Sequence, residues 1–279
     1  MRFWVKLILI MSLSFWQTSQ AQLQIRNNDS VVGLTPITIT NVPYALAVIR
    51  TNNDNLNAYL IEGNTVSTTP AELGNNTVEL NDISFLLTDQ QHGLNADGAL
   101  AFISANGALQ AIYNLDLSIV SDLAANELTF NQTNTALIQS PMTFKVDGQN
   151  NVLLAYDNVI QLYPLIIHDD WDLQLQANNM EQLDGFTGNI TTVQPVGNNL
   201  LFVVTDTPEA YFINASTENI LKTYNLDTVA PTQLVFRYAD YQPYIQVGDA
   251  NCITDPTDQG CYLVDKSHLP FGLLNFYQK

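Results

Sequence analysis

The sequence predicts an all-β protein, and three observations lead to this prediction. Apolar residues occur in short runs of about 5–8 residues that are rich in Val, Ile, Leu, Phe and Tyr. Clusters of Asn, Asp, Gly, Thr and Pro separate these runs, and Asn and Asp tolerate the positive φ of tight turns. No stretch keeps apolar residues at i, i+3, i+4 and i+7 for more than about two turns, which an amphipathic helix requires.

Paired strands recur along the chain, with a short connection inside each pair. Asn106-Gly107, in the second pair, gives the strongest hairpin signal because both residues accept the positive φ of a type I′ turn. The starts of successive pairs lie about 44 to 55 residues apart. The five predicted pairs are 44–51 with 57–63, 99–105 with 108–115, 151–157 with 159–165, 199–206 with 210–215, and 243–249 with 261–267.

Further candidate strands flank the pairs and complete units of about four strands. One strand is predicted before each pair, at 36–40, 83–88, 142–146, 190–196 and 232–238. Another is predicted after each of the first four pairs, at 78–82, 117–123, 171–177 and 220–226.

A four-strand unit at this period resembles a β-propeller blade of the WD40, kelch or YVTN-like kind. The resemblance rests on spacing and strand count, since no Trp-Asp, Gly-His or double-glycine signature recurs. It implies one β-propeller domain over 22–279 with about five four-stranded blades, or six or seven if a blade is degenerate. QLQIR (22–26) is predicted to close the ring by pairing with the C-terminal blade. The alternative is a β-sandwich, although about twenty strands exceed one sandwich.

Residues 1–21 predict a secretory signal peptide. Arg2 and Lys6 precede an apolar run at 7–15, and Ser19 and Ala21 supply small residues before a cleavage site. The run is roughly half of the ~20 residues that span a bilayer, which argues against a membrane anchor. We therefore expect a periplasmic or secreted protein with no membrane span after cleavage.

The charge of the chain restricts its partners. It carries 27 acidic and 9 basic residues, and loss of the leader takes the formal charge from −18 to −20. Nucleic acid is excluded as a partner because its phosphates require Lys and Arg, and anionic membranes are disfavoured for the same reason. The 46% hydrophobic content excludes a disordered acidic chain. Acids that fall mainly in turns favour cations, neutral glycans or basic protein surfaces as ligands.

Cys252 and Cys261 are the two cysteines of the chain, and they predict a disulfide in an exported protein. Closing a loop of this size stabilises the fold by about 2.7 kcal/mol in the chain-entropy model. Two free thiols or half of a metal site are the alternatives, but no second cysteine pair or His-x-His completes a zinc motif.

Three polar clusters are candidate ligand sites. The cluster at 168–172 could bind a divalent cation and stack its Trp on a sugar, and the cluster at 89–98 has oxygen side chains that suit Ca²⁺. The third cluster surrounds the disulfide and is also a candidate calcium site. In each case the alternative is a solvated turn, and no other cofactor is predicted. The candidate residues are His168, Asp169, Asp170 and Trp171 in the first cluster, and Asp249, Asn251, Asp255 and Asp258 in the third.

The sequence favours a binding or scaffold module for a protein or glycan partner over an enzyme. No G-x-S-x-G, H-E-x-x-H, P-loop or G-x-G-x-x-G motif is present. Tyr238, Tyr241 and Tyr244 predict a contact patch, since Tyr is enriched at binding sites, unless they pack inside the last blade. The alternative function is a secreted carbohydrate hydrolase with paired axial carboxylates, but the candidate inner strands carry almost no acid.

Overall fold

A computed structural model describes residues 29–39, 42–63, 65–75, 80–87, 98–105, 107–131, 135–167, 173–226, 230–237, 239–240 and 242–264. Within these ranges the chain forms five antiparallel sheets and two short 3-10 helices, Ala177–Asn179 and Ala215–Thr217. The predicted all-β class is therefore confirmed. Among the residues described, no helix has the length and apolar character needed to cross a membrane.

Each sheet is an antiparallel meander. The first sheet contains β1 (Ser30–Ile39), β2 (Val42–Arg50), β3 (Asn55–Glu62), β4 (Thr65–Val66) and β5 (Ala71–Asn75), and the second contains β6 (Leu80–Leu87), β7 (Gly98–Ala105), β8 (Ala108–Asp116) and β9 (Ala124–Leu128). The third contains β10 (Met142–Val146), β11 (Gln149–Tyr156), β12 (Val159–Ile167), β13 (Leu173–Leu175) and β14 (Glu181–Leu183). The fourth contains β15 (Ile190–Gly197), β16 (Leu200–Thr205), β17 (Glu209–Asn214) and β18 (Asn219–Asn225), and the fifth contains β19 (Gln233–Arg237), β20 (Gln242–Gln246) and β21 (Cys261–Leu263). The strands of each sheet pair in chain order, except that β5 pairs with β3 in the first sheet and β14 pairs with β12 in the third.

The five predicted strand pairs form the second and third strands of the five sheets, but two predicted outer strands are wrong. Residues 80–82, expected at the outer edge of the first unit, begin β6 instead, and β4 and β5 share that edge by pairing with β3. In the second unit, 117–123 is a connection, because the Asp116 carboxylate accepts hydrogen bonds from the Ser118 N–H and hydroxyl and closes a turn. The outer strand there is β9.

Consecutive sheets pack face to face through apolar clusters, and the middle strands are buried on both faces. All eight residues of β7 and all six residues of β16 are buried. Clusters join the first sheet to the second, the second to the third, the third to the fourth, and the fourth to the fifth. Burial on both faces explains why these strands lack apolar–polar alternation in the sequence.

The first strands of neighbouring sheets lie side by side. Gly33 of β1 lies against the side chains of Ile83 and Phe85 in β6. The Gln194 side chain of β15 accepts from the Leu234 N–H of β19 and donates to the Leu234 carbonyl, at 3.3 and 3.2 Å. These contacts join the first strands of the first and second sheets and those of the fourth and fifth sheets.

Candidate functional site

The predicted disulfide between Cys252 and Cys261 is confirmed. It joins the connection after β20 to the first residue of β21, with the two Cα atoms 5.4 Å apart. Cys252 is fully buried, whereas Cys261 is partly exposed and pairs with Gln246 in the sheet. The disulfide therefore ties a surface loop, residues 247–260, to the edge of the fifth sheet. We call residues 247–260 the disulfide loop.

The disulfide loop covers one face of the fifth sheet. Val235 of β19 and Tyr244 of β20 form an apolar cluster with Ala250 and Cys252 of the loop. Tyr244, predicted as a contact residue, is only 7% exposed, so its side chain offers a partner little surface. Tyr238 and Tyr241, its predicted companions, lie outside the described residues.

The polar side chains of the loop close its own turns. Asp258 accepts from the Asn251 N–H at 3.0 Å, and Asp255 accepts from the Thr257 hydroxyl and N–H at 2.6 and 3.0 Å. These two bonds, that of the hydroxyl first, hold the pKa of the Asp255 carboxyl below its ordinary value.

No cation-binding arrangement results from these contacts in the part of the chain that the structure describes, where no three His, Cys, Asp or Glu side chains are grouped to hold a metal ion. Calcium binding at the four candidate residues of the loop stays a prediction. They are Asp249, Asn251, Asp255 and Asp258.

Large apolar side chains are exposed next to the disulfide. Ile253, Tyr262 and Leu263 are 50%, 41% and 61% exposed. Ile253 follows Cys252, and Tyr262 and Leu263 follow Cys261, so all three lie close to the disulfide along the chain. Leu263 pairs with Tyr244 and shares its face of the sheet, whereas Tyr262 pairs with Ile245 and shares the opposite face. We call these three residues the apolar tip.

The sequence analysis missed a repeated tyrosine in the third strands. The Tyr211 hydroxyl accepts from the Thr187 N–H at 3.0 Å and donates to Glu209 at 2.5 Å. The Tyr163 hydroxyl accepts from the Asn131 N–H at 3.2 Å and donates to Gln161 at 3.0 Å. Burial raises the pKa of both tyrosines. Each hydroxyl thus bonds the connection that enters its own sheet.

A third tyrosine, Tyr113, places its hydroxyl against a strand of the neighbouring sheet instead, and the sequence carries a tyrosine at this position in every unit. The Tyr113 hydroxyl lies so close to Gly74 of the first sheet, which has φ +80°, that a Cβ there would approach it to 2.7 Å. A Tyr followed two residues later by an aliphatic residue recurs five times in third strands, at Tyr59–Ile61, Tyr113–Leu115, Tyr163–Leu165, Tyr211–Ile213 and Tyr262–Val264. Aligning the second members of the strand pairs would have found it.

The inner strands provide little acid for catalysis. Of the five first strands, β1, β10, β15 and β19 contain no Asp or Glu, and β6 contains one acid, Asp82. A glycosidase requires two carboxyl groups flanking the bond that it cleaves. These four strands cannot supply that pair.

The remaining predicted contact residues lie outside the described ranges. β12 ends at Ile167 and β13 begins at Leu173, so His168, Asp169, Asp170 and Trp171 fall between them, and 89–97 falls between β6 and β7. Their suggested roles in cation or sugar binding stay predictions, as does closure of the ring by 22–26.

Comparison with known proteins identifies the architecture. No family model matches the chain, and no curated protein matches its sequence. Among solved structures it is similar to dihydro-heme d1 dehydrogenase NirN in complex with DHE, with a TM-score of 0.51 and 13% identity over 95% of this chain and 53% of that one. The WD40 domain of SCAP from fission yeast aligns with a TM-score of 0.47 and 9% identity over 78% of this chain and 48% of that one.

The chain therefore has a β-propeller architecture, as its repeat predicted. It spans about half the length of the NirN structure that it matches. At this identity the similarity establishes the fold alone. The number of blades and the closure of the ring stay predictions.

Proposed function

We propose that the protein is an exported binding or scaffold module that contacts a protein partner through the apolar tip. The observation that carries this proposal is the exposure of Ile253, Tyr262 and Leu263 beside a buried disulfide. Clustered exposed apolar side chains mark interaction sites more often than isolated ones do. Tyr is also enriched among the residues that dominate binding energy.

The loop that presents the apolar tip is held in one arrangement before any partner binds. The Asp258 and Asp255 carboxylates accept hydrogen bonds that fix the turns of the loop, and the loop residue Cys252 is buried against the fifth sheet. Binding therefore orders few additional groups. A preorganised surface loses less conformational entropy on binding than a mobile one, and so it loses less affinity.

A protein suits this surface better than a glycan. Ile253 and Leu263 are aliphatic, so they can bury area against an apolar protein surface but cannot hydrogen-bond the hydroxyl groups of a sugar. The sugar-stacking role suggested for Trp171 has no counterpart at the apolar tip.

Export is part of the proposal. The leader at 1–21 predicts secretion, and disulfides persist in the periplasm and outside cells but are rare in the cytosol. The competing hydrolase function is not supported by a specific observation, since β1, β10, β15 and β19 carry no carboxylate.

The experiment compares the mature protein with the double variant Ile253→Ser/Leu263→Ser. Each is immobilised and used to capture proteins from the exported fraction of the source, and captured proteins are identified and then titrated individually. If the apolar tip is the contact site, wild type should capture a partner, and the double variant should bind that partner with an affinity at least tenfold lower.

The matched control is Ile119→Ser, which removes an apolar side chain of similar exposure from the connection after β8. It should leave the affinity unchanged. Equal affinity of wild type and the double variant for every captured protein would refute the proposed contact site.

A further inference from the structure

We propose that the Cys252–Cys261 disulfide regulates the apolar tip as a redox switch. Its reduction by a dithiol would release the disulfide loop from the fifth sheet, uncover Tyr244 and Val235, and displace Ile253 from its place beside the disulfide. The effect on binding rests on the proposed function, whereas the uncovering of the sheet does not.

The loop covers a surface that is otherwise apolar. Val235 and Tyr244 are both buried, and the cluster that buries them consists of Ala250, Cys252 and the partly exposed Cys261. Ala250 and Cys252 belong to the loop, whereas Cys261 belongs to β21, so the disulfide joins this cover directly to the sheet. The covering of this face therefore depends directly on where Cys252 is held.

The hydrogen bonds of the loop do not replace the disulfide in this role. Within the described residues, those of 250–258 run inside the loop or to its two ends, including Asp255 N–H to the Asn251 carbonyl at 2.8 Å and Cys261 N–H to the Asp258 carbonyl at 3.2 Å. Ala250 donates to the Val247 carbonyl at 3.4 Å, at the base of the loop. These bonds preserve the turns of the loop but do not attach it to β19. The disulfide and the apolar contacts provide the attachment, together with a solvent-exposed attraction between Asp255 and Arg237 at the end of β19.

The disulfide can be reached from one side. Cys261 is partly exposed, whereas Cys252 is fully buried. A thiolate of the dithiol attacks the Cys261 sulfur, and the Cys252 sulfur leaves as a thiolate and takes up a proton. The second thiol of the reagent then displaces Cys261, which is also protonated. The protein gains two electrons and two protons, and the dithiol is oxidised to a disulfide.

Hydrogen exchange on the mature protein tests the switch, with dithiothreitol as the reductant and a thiol assay to confirm reduction. Reduction should speed amide exchange in 243–247 at least tenfold while leaving 152–155 and 201–204 of the third and fourth sheets unchanged. The variant Cys252→Ser/Cys261→Ser should show the faster exchange without reductant and should not respond to it.

Two results would overturn the switch. One is unchanged exchange at 243–247 in protein shown to be reduced, which would mean that the apolar contacts hold the loop alone. The other is accelerated exchange in the third and fourth sheets as well, which would mean that reduction unfolds the protein rather than opening one loop.

Partner binding separates this inference from the proposed function. If Ile253→Ser/Leu263→Ser abolishes binding but reduction changes neither exchange nor affinity, the contact site stands and the switch fails. If reduction accelerates exchange at 243–247 but Ile253→Ser/Leu263→Ser binds the partner with normal affinity, the loop opens and the proposed contact site fails.

Discussion

The fourth and fifth sheets show two ways of covering a β-sheet. The fourth packs against the third sheet on one face and the fifth on the other, and every residue of β16 is buried. The fifth packs against the fourth on one face, and its own disulfide loop covers part of the other. The fourth sheet is covered by its two neighbouring sheets, whereas the fifth sheet uses a covalently closed loop for part of its cover. The two sheets should therefore respond differently to mutation and to pH.

The largest expected difference in the free energy of unfolding is between truncating a buried phenylalanine of the fourth sheet and truncating an exposed leucine of the fifth. Phe212 is fully buried in the fourth sheet, with ring centroids 5.1 Å from Phe202 and 5.8 Å from Tyr224. Phe212→Ala should lower the free energy of unfolding by about 3–5 kcal/mol, because it removes buried apolar surface and leaves a cavity. Leu263→Ala in the fifth sheet should change it by less than about 0.5 kcal/mol. Urea denaturation measures both, and similar losses would contradict the comparison.

The first three strands of every sheet could be predicted from the sequence, as could the outer strands β13 and β18. The clearest of these predictions are the middle strands that are buried on both faces. Residues 99–105 and 199–206 are continuous apolar runs because sheets pack on either side of β7 and β16. The outer strands of the first and second sheets contain few apolar residues, so the pattern placed them wrongly at 78–82 and 117–123. The bond between Asp116 and Ser118 that ends β8 is local and could have been anticipated from the sequence, but its effect on the outer strand could not.

The disulfide of the candidate site could be predicted from the sequence, but the burial and hydrogen bonding of its tyrosines could not. The disulfide could be predicted from two cysteines nine residues apart together with the predicted leader. Burial of Tyr244 depends on where Cys252 is held, and bonding of the Tyr211 hydroxyl depends on Thr187, 24 residues earlier in the connection from the third sheet. Both require the packing of distant segments, which periodicity along one strand does not report.

Removing a tyrosine hydroxyl should also lower the free energy of unfolding more in the fourth sheet than in the fifth, but by a smaller amount. Tyr211→Phe leaves the Thr187 N–H without its acceptor and Glu209 without its donor, and should cost about 1–3 kcal/mol. Tyr262 occupies the same repeat position in the fifth sheet but makes no hydrogen bond among the described residues, so Tyr262→Phe should be within about 0.5 kcal/mol of wild type. Thermal unfolding of the two variants checks this, and equal losses would remove the special role of Tyr211.

Alkaline pH should reduce the difference in unfolding free energy between wild type and Tyr211→Phe. Burial and the hydrogen bond to Glu209 raise the pKa of Tyr211, so the unfolded chain ionises this group at a lower pH than the folded protein. Its stabilising contribution is complete below the unfolded pKa, which is about 10, and is lost as the pH rises through the raised value. Urea denaturation at pH 8, 10 and 11 follows the difference between the two proteins. A difference that stays constant across this range would contradict burial as the cause of the shift.

The smallest effect is expected in the disulfide loop, where Asp255 is exposed. Thr257→Val removes the hydroxyl donor, so the pKa of the Asp255 carboxyl should rise but remain below its ordinary value, because the Thr257 N–H still donates. A carboxyl with a lowered pKa stabilises the fold above its ordinary pKa and loses that contribution as the pH falls through the lowered value. Titration of the Asp255 carboxyl by NMR measures the rise.

The matched control for this titration is Thr254→Val, whose hydroxyl makes no bond to Asp255 among the described residues and which should leave the pKa where it is in wild type. An unchanged pKa in Thr257→Val would show that the hydroxyl bond does not order the loop. A raised pKa with unchanged overall stability would show that the polar bonds of the loop set its local shape, while the disulfide and the apolar contacts keep it on the fifth sheet.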